Sequence, residues 1–110
     1  MLVAMDFTDR SGSKLRPAVV VSGEDYNSRT PDVLIASITG NLGAIPHPGD
    51  HRIEAWKAAG LLKPSLAQTK LATVEASIIR RKLGELDPED LSSFSQGLRD
   101  ALALADERNT

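Results

Sequence analysis

A mainly-β chain closed by one amphipathic helix is the fold class that these 110 residues predict. Three observations carry it. Short β-branched runs recur through the first 86 residues, single glycines and prolines punctuate them, and the only long stretch with helical periodicity lies at the end. Several short strands followed by one helix give a small, strongly bent sheet or barrel with the helix packed on it. The length and the absence of an internal repeat or linker set the expectation at one domain spanning 1–110.

Leu2 to Phe7 reads as a short strand, ended by the polar run Thr8 to Lys14, in which Gly12 between two serines is suited to a mobile loop. Ala18 to Val21 is apolar on both faces, as in a buried strand, with Pro17 at its start, where a missing N–H is tolerable. Asp32 to Thr39 is a third strand whose alternation puts Val33, Ile35, Ser37 and Thr39 on one face, so two hydroxyls project together. The following GNLGAIPHPGDH is loop. Ile53 to Gly60 reads as one or two helical turns closed by Gly60. Ser65 to Thr73 and Ile78 to Leu86 complete the strands, with a turn or 3₁₀ segment near Glu75 to Ser77. Asp87 is a good N-cap, Pro88 suits the first helical position, and Glu89 and Asp90 complement the helix's positive end. Leu91, Phe94, Leu98, Ala101, Leu102 and Ala105 then form one stripe that must bury against something.

Composition removes several function classes. The chain has no cysteine, which excludes disulfides, thiolate nucleophiles and cysteine zinc sites. His47 and His51 are the only imidazoles, and Pro48 and Gly49 between them prevent one helix face from presenting both. Asp50 does not make a convincing third ligand, so no metal and no cofactor is expected. No apolar run approaches the ~20 residues that span a bilayer, and the N-terminal stretch lacks the features of a secretory signal, so the expected location is cytoplasmic. The net charge of −2 conceals an asymmetry: residues 1–84 carry +3 and residues 85–110 carry −5. A polyanion-binding surface is therefore compatible with the acidic whole.

The string SGSKLRPAVVVS resembles the MazF/PemK-like toxins of type II toxin–antitoxin systems, whose hallmark is a serine and glycine loop followed by Arg-Pro and an apolar strand. DVLIASITG, AGLLKPS and LATVEASIIRRKLGELDPEDL resemble three further family segments in the same order. The resemblance implies an SH3-like β-barrel with short helices and a C-terminal helix. It also implies a homodimer that acts as a metal-independent, ribosome-independent endoribonuclease on single-stranded RNA and is silenced by a cognate antitoxin protein.

The family's catalytic arginine and threonine fall on Arg16 and Thr39. Attack of a ribose 2′-hydroxyl on the adjacent phosphate builds negative charge on the nonbridging oxygens, which a guanidinium can grip and a hydroxyl can hydrogen-bond. Arg16 is assigned to charge stabilisation first and to proton donation second, because a guanidinium barely gives up its proton. Ser37 on the Thr39 face, Ser13 and Lys14 in the preceding loop, and Lys70 are candidate substrate contacts. Arg80 and Arg81 face opposite ways in a strand and make no continuous patch. Trp56 is assigned to packing rather than base stacking.

Two departures stand out. Relatives usually open with a Gly-Asp pair and a full first strand, whereas Asp6 here follows closely on Met1, so the first strand begins late, through either a misplaced start or a shortened edge strand; Ala72 lies where many relatives carry an arginine. The rival reading is a binding module on the same fold, either catalytically inactive or a gyrase poison resembling CcdB. The gyrase form relies on a terminal Trp-Gly-Ile, and this chain ends in ADERNT.

Overall fold

In the computed structural model, which describes residues 1–9, 12–43 and 45–104, six strands form one antiparallel sheet and a helix follows them. The strands are β1 (Leu2–Asp9), β2 (Gly12–Val20), β3 (Asp32–Thr39), β4 (His51–Arg52), β5 (Leu66–Glu75) and β6 (Ile79–Gly84). Their order is β4-β5-β3-β2-β1-β6, so the sheet is open at β4 and β6 and is a bent sheet rather than a closed barrel. Helix α1 (Glu24–Arg29) bridges β2 and β3, a 3₁₀ turn at Ala76–Ile78 joins β5 to β6, and α2 (Pro88–Ala101) ends the fold. The mainly-β architecture with a terminal helix is the one the sequence predicts.

Alternation along the strands buries both faces of the sheet. Leu2, Val19, Ala36, Ile38 and Ala67 pack with Ile53, Leu61 and Phe94 on one face, while Val3, Met5, Ala18, Val20, Val33 and Ile35 form a second core on the other. Helix α2 starts as its cap residues dictate, with Asp87 accepting a hydrogen bond from the Glu89 N–H. Its stripe is only partly covered: Phe94 is buried and Leu98 half-buried, but Leu91 and Leu102 are about half exposed. Ala105 lies outside the described residues.

Three expectations change, and one short helix is additional. The Thr8 to Lys14 run is largely strand, because the β1–β2 ladder continues past its apolar part to Asp9↔Gly12; Ser13 and Lys14 therefore sit on β2, opposite Thr8 and Phe7. The first strand is neither short nor at an edge, since its eight residues pair with β2 on one side and in part with β6 on the other. Pro17 is not at a strand start but inside β2. The polar segment Glu24–Arg29, which shows no apolar periodicity, forms the short helix α1 and buries none of its residues.

Ile53 to Gly60 makes a helix-like turn rather than a full helix. Gly60 adopts φ +92°, its N–H donates to the Lys57 carbonyl, and the Leu61 N–H donates to the Trp56 carbonyl. That pair of bonds is a Schellman stop with glycine in the left-handed position. Trp56 packs half-buried on the first core, as expected of it.

Candidate functional site

The site begins with the hydrogen that Pro17 lacks. The Val20 N–H donates to Met1 on the β1 side and the Val21 N–H donates to Leu34 on the β3 side, so the two-residue period turns the nitrogens of Val19 and Pro17 toward β3. Pro17 has nothing to donate there, and the β2–β3 ladder stops at Ala18↔Ser37. Continued two residues further, the same register sets Arg16 opposite Thr39. Both residues are in strand conformation but no longer paired across this gap, and together they form the lips of a cleft.

Depressions of about 390 and 450 Å³ open on either side, and Arg16, Pro17, Ile38 and Thr39 line both. Ser37, Gln68 and Lys70 join Arg16 and Thr39 in the smaller one; Lys14, Lys63 and Arg81 join them in the larger. Of the predicted site residues, Arg16, Thr39, Lys14, Ser37 and Lys70 are thus brought together, although Lys14 and Lys70 belong to different depressions. Ser13 is not among the lining residues; its hydroxyl lies 3.2 Å from that of Thr8. Arg80 and Arg81 do diverge: Arg80 pairs with Asp6 and donates to the Ser77 carbonyl, while Arg81 enters the larger depression.

Two local contacts orient the lips. Arg16 carries its guanidinium carbon 5.1 Å above the Phe7 ring, a cation–π placement that holds the side chain on the cleft side of β1. The Thr39 hydroxyl accepts a hydrogen bond from the Asn41 N–H at 3.1 Å, which leaves its own proton to be donated. Lys63 lies across Gly40 so closely that a Cβ there would collide with its Cε, which sets the ammonium over Gly40 in the depression that Thr39 also lines.

A β-bulge shapes the far wall. Ala36 pairs with Leu71 but Ile38 pairs with Ala67, so Gln68, Thr69 and Lys70 stand opposite the single residue Ser37. The extra length is secured by Asp50, whose Oδ1 accepts from the Thr69 N–H at 2.8 Å and from the Thr69 hydroxyl at 3.1 Å, while its Oδ2 accepts from the His47 N–H at 2.9 Å. Burial pushes the Asp50 carboxyl up, but the hydrogen bonds from Thr69 and His47 outweigh it and hold the group below its ordinary value. His51, by contrast, is structural: its Nε2–H donates to Asp90 at 2.7 Å, the carboxylate being able only to accept.

The lining residues of the two depressions include five cations, Lys14, Arg16, Lys63, Lys70 and Arg81, and no carboxylate. Among the described residues no three side chains of metal-binding type come together. The chemistry this lining favours is binding and charge stabilisation of an anion. Lys63, Arg81 and Gln68 were not singled out as site residues from sequence; the alternation that sends Arg80 and Arg81 to opposite sides was the one signal pointing to Arg81.

The family model for the PemK-like, MazF-like toxin of type II toxin–antitoxin systems matches residues 1–102. The chain belongs to this family. Among solved structures, an endoribonuclease in complex with its cognate antitoxin from a mycobacterial species has a TM-score of 0.76 at 19% identity, over 94% of this chain and 92% of that one. MazE–MazF from Deinococcus radiodurans gives 0.75 at 22%, over 94% of each chain. The Mycobacterium tuberculosis toxin MazF-mt6 gives 0.70 at 17%, over 94% and 98%. At these identities the structural likeness establishes the fold. Among the described residues, no helix of this toxin-family chain is long and apolar enough to cross a membrane.

Proposed function

We propose that this chain is an endoribonuclease that cuts single-stranded RNA without a metal or cofactor, with Arg16 and Thr39 as its catalytic residues. The observation that carries the reading is the convergence of these two side chains, 23 positions apart in sequence, on one cleft whose charged lining residues are all cations. In the reaction the 2′-oxygen bonds to phosphorus and loses its proton to solvent. The phosphorus–O5′ bond breaks, and the departing oxygen takes up a proton from solvent. Arg16 stabilises the charge that accumulates on the nonbridging oxygens, and the Thr39 hydroxyl donates to one of them. Ser37 and Lys70 contact substrate on one side and Lys14 on the other, with Ser13 on the adjoining hairpin. The requirement for a 2′-hydroxyl makes the cleft selective for RNA over DNA.

The reading includes a homodimer, a cognate antitoxin protein and a cytoplasmic setting. Exposed Leu91, Leu102 and Leu104, which sit with Leu34 and Leu71 along an apolar groove beside α2, support a contact with another polypeptide. Incubation of purified protein with a long unstructured RNA in EDTA tests the activity. The expected products carry a 2′,3′-cyclic phosphate and a 5′-hydroxyl, and Arg16→Ala abolishes them. Intact RNA at micromolar protein, with or without the substitution, removes the nuclease reading.

A further inference from the structure

The five cations of the cleft supply charge partners for a phosphodiester strand, and contacts made to phosphate position a nucleic acid without reading it. A base edge that sets a donor beside an acceptor is read bidentately by a group offering both side by side, as a carboxamide does, whereas a guanidinium or ammonium only donates. The two depressions contain two carboxamides, Asn41 and Gln68. Asn41 is exposed, and its Oδ1 already accepts the Gly43 N–H at 3.1 Å. Gln68 differs on both counts. It is only 9% exposed, and among the described residues its side chain makes no hydrogen bond. No fully buried side-chain nitrogen or oxygen among those residues lacks a partner, so the polar tip of Gln68 is the part that reaches the cleft.

From this we infer that Gln68 is the specificity-determining residue of the cleft, its carboxamide pairing with the edge of one base next to the scissile phosphate. The inference rests on the nuclease reading. The bulge explains the placement: Gln68 and Lys70 flank Thr69, whose N–H and hydroxyl are fixed by Asp50, and both line the depression that contains Ser37 and Arg16. A side chain buried up to its tip has little rotamer freedom left to lose, so the donor and acceptor are presented ready-made. A base edge splayed out of a single strand offers the matching pair.

The test is the sequence preference of cutting, taken from the 5′ ends of fragments that the full-length wild-type, Gln68→Leu and near-isosteric Gln68→Met proteins produce from one mixed RNA pool. Preference at a single nucleotide position is expected to fall by about tenfold in both variants, with the other positions unchanged. Cutting that weakens equally at every site, with preference intact, would make Gln68 merely structural and overturn the inference, as would an unaltered profile. A wild-type protein that cuts nothing removes the nuclease reading and this inference with it; an active one with unchanged variants removes the inference alone. Should Gln68→Leu fail to fold, Gln68→Met decides.

Discussion

Asp50 and Thr69 are joined twice, the carboxylate Oδ1 accepting both the backbone N–H and the side-chain hydroxyl of the one threonine. This bond pair ties the loop before β4 to the bulge of β5, and the bulge in turn carries Gln68 and Lys70 into the cleft. The arrangement makes Asp50 a positioning residue that touches nothing in the cleft itself.

Replacing Asp50 with alanine therefore strands two donors on Thr69 and one on His47. A loss of about 2 kcal/mol in unfolding free energy is expected, measurable by urea denaturation. Amide exchange at Thr69 should accelerate more than at the neighbouring pairs of β5, since its N–H has no strand partner to fall back on. Unchanged protection at Thr69 would show that the bulge holds without the carboxylate.

Acid should loosen the same region. Asp90 is buried on α2, which raises its carboxyl, but the Ala55 N–H at 3.0 Å, His51 and the Glu54 N–H at 3.0 Å more than reverse that and hold it below the ordinary range, as with Asp50. A carboxyl depressed on folding contributes stability that is complete above its unfolded value, near ~4, and is lost as pH falls through the folded value. Stability measured downward from pH 6 should stay level until about pH 4 and then decline. Asp90→Asn, which keeps one acceptor oxygen but cannot ionise, should flatten that decline; an equally steep decline would place the acid sensitivity elsewhere.

The parts of this fold that were legible are those written in local chemistry. Asp87 followed by Pro88 sets the start of α2 to the residue, and the apolar run Ala18 to Val21 marks β2 because both sheet faces are buried there. Helix α1 was not legible, since none of its residues is buried and no periodic face exists to be seen. The bulge was hidden for another reason: it is defined by what Ser37 faces on another strand, and pairing partners are not encoded within either segment. The Arg16 and Thr39 positions came from family likeness. Their meeting follows from register, because Pro17 ends the ladder one step before they would have paired.

Gly60 offers a backbone test. At φ +92° a side chain is strained, and a Cβ there would also strike the Leu83 carbonyl of β6, a backbone atom that cannot swing away. Gly60→Ala should cost more than the ~1 kcal/mol of the conformational penalty alone, reported by a lower urea midpoint at unchanged slope. A neutral substitution would mean that the turn and β6 separate easily.

The final prediction separates the two lips of the cleft. Thr39→Val preserves shape and strand preference and removes only the hydroxyl, freeing the Asn41 N–H to bond water. It should leave stability within about 0.5 kcal/mol while cutting the RNA-cleavage rate by about a hundredfold, the scale of one lost donor to a developing oxyanion. Thr39→Ser, with its hydroxyl restored, should recover most of that rate. Arg16→Lys keeps the charge but not the fork, so it should bind RNA with nearly the wild-type salt dependence and yet cleave poorly. If Arg16→Lys instead cleaves at the wild-type rate, a point charge suffices at this lip and bidentate grip on the phosphate is not part of the mechanism. Rates from single-turnover cleavage and affinities from salt titration of binding to a 2′-deoxy analogue keep the two effects apart, because the analogue occupies the cleft without offering the attacking oxygen.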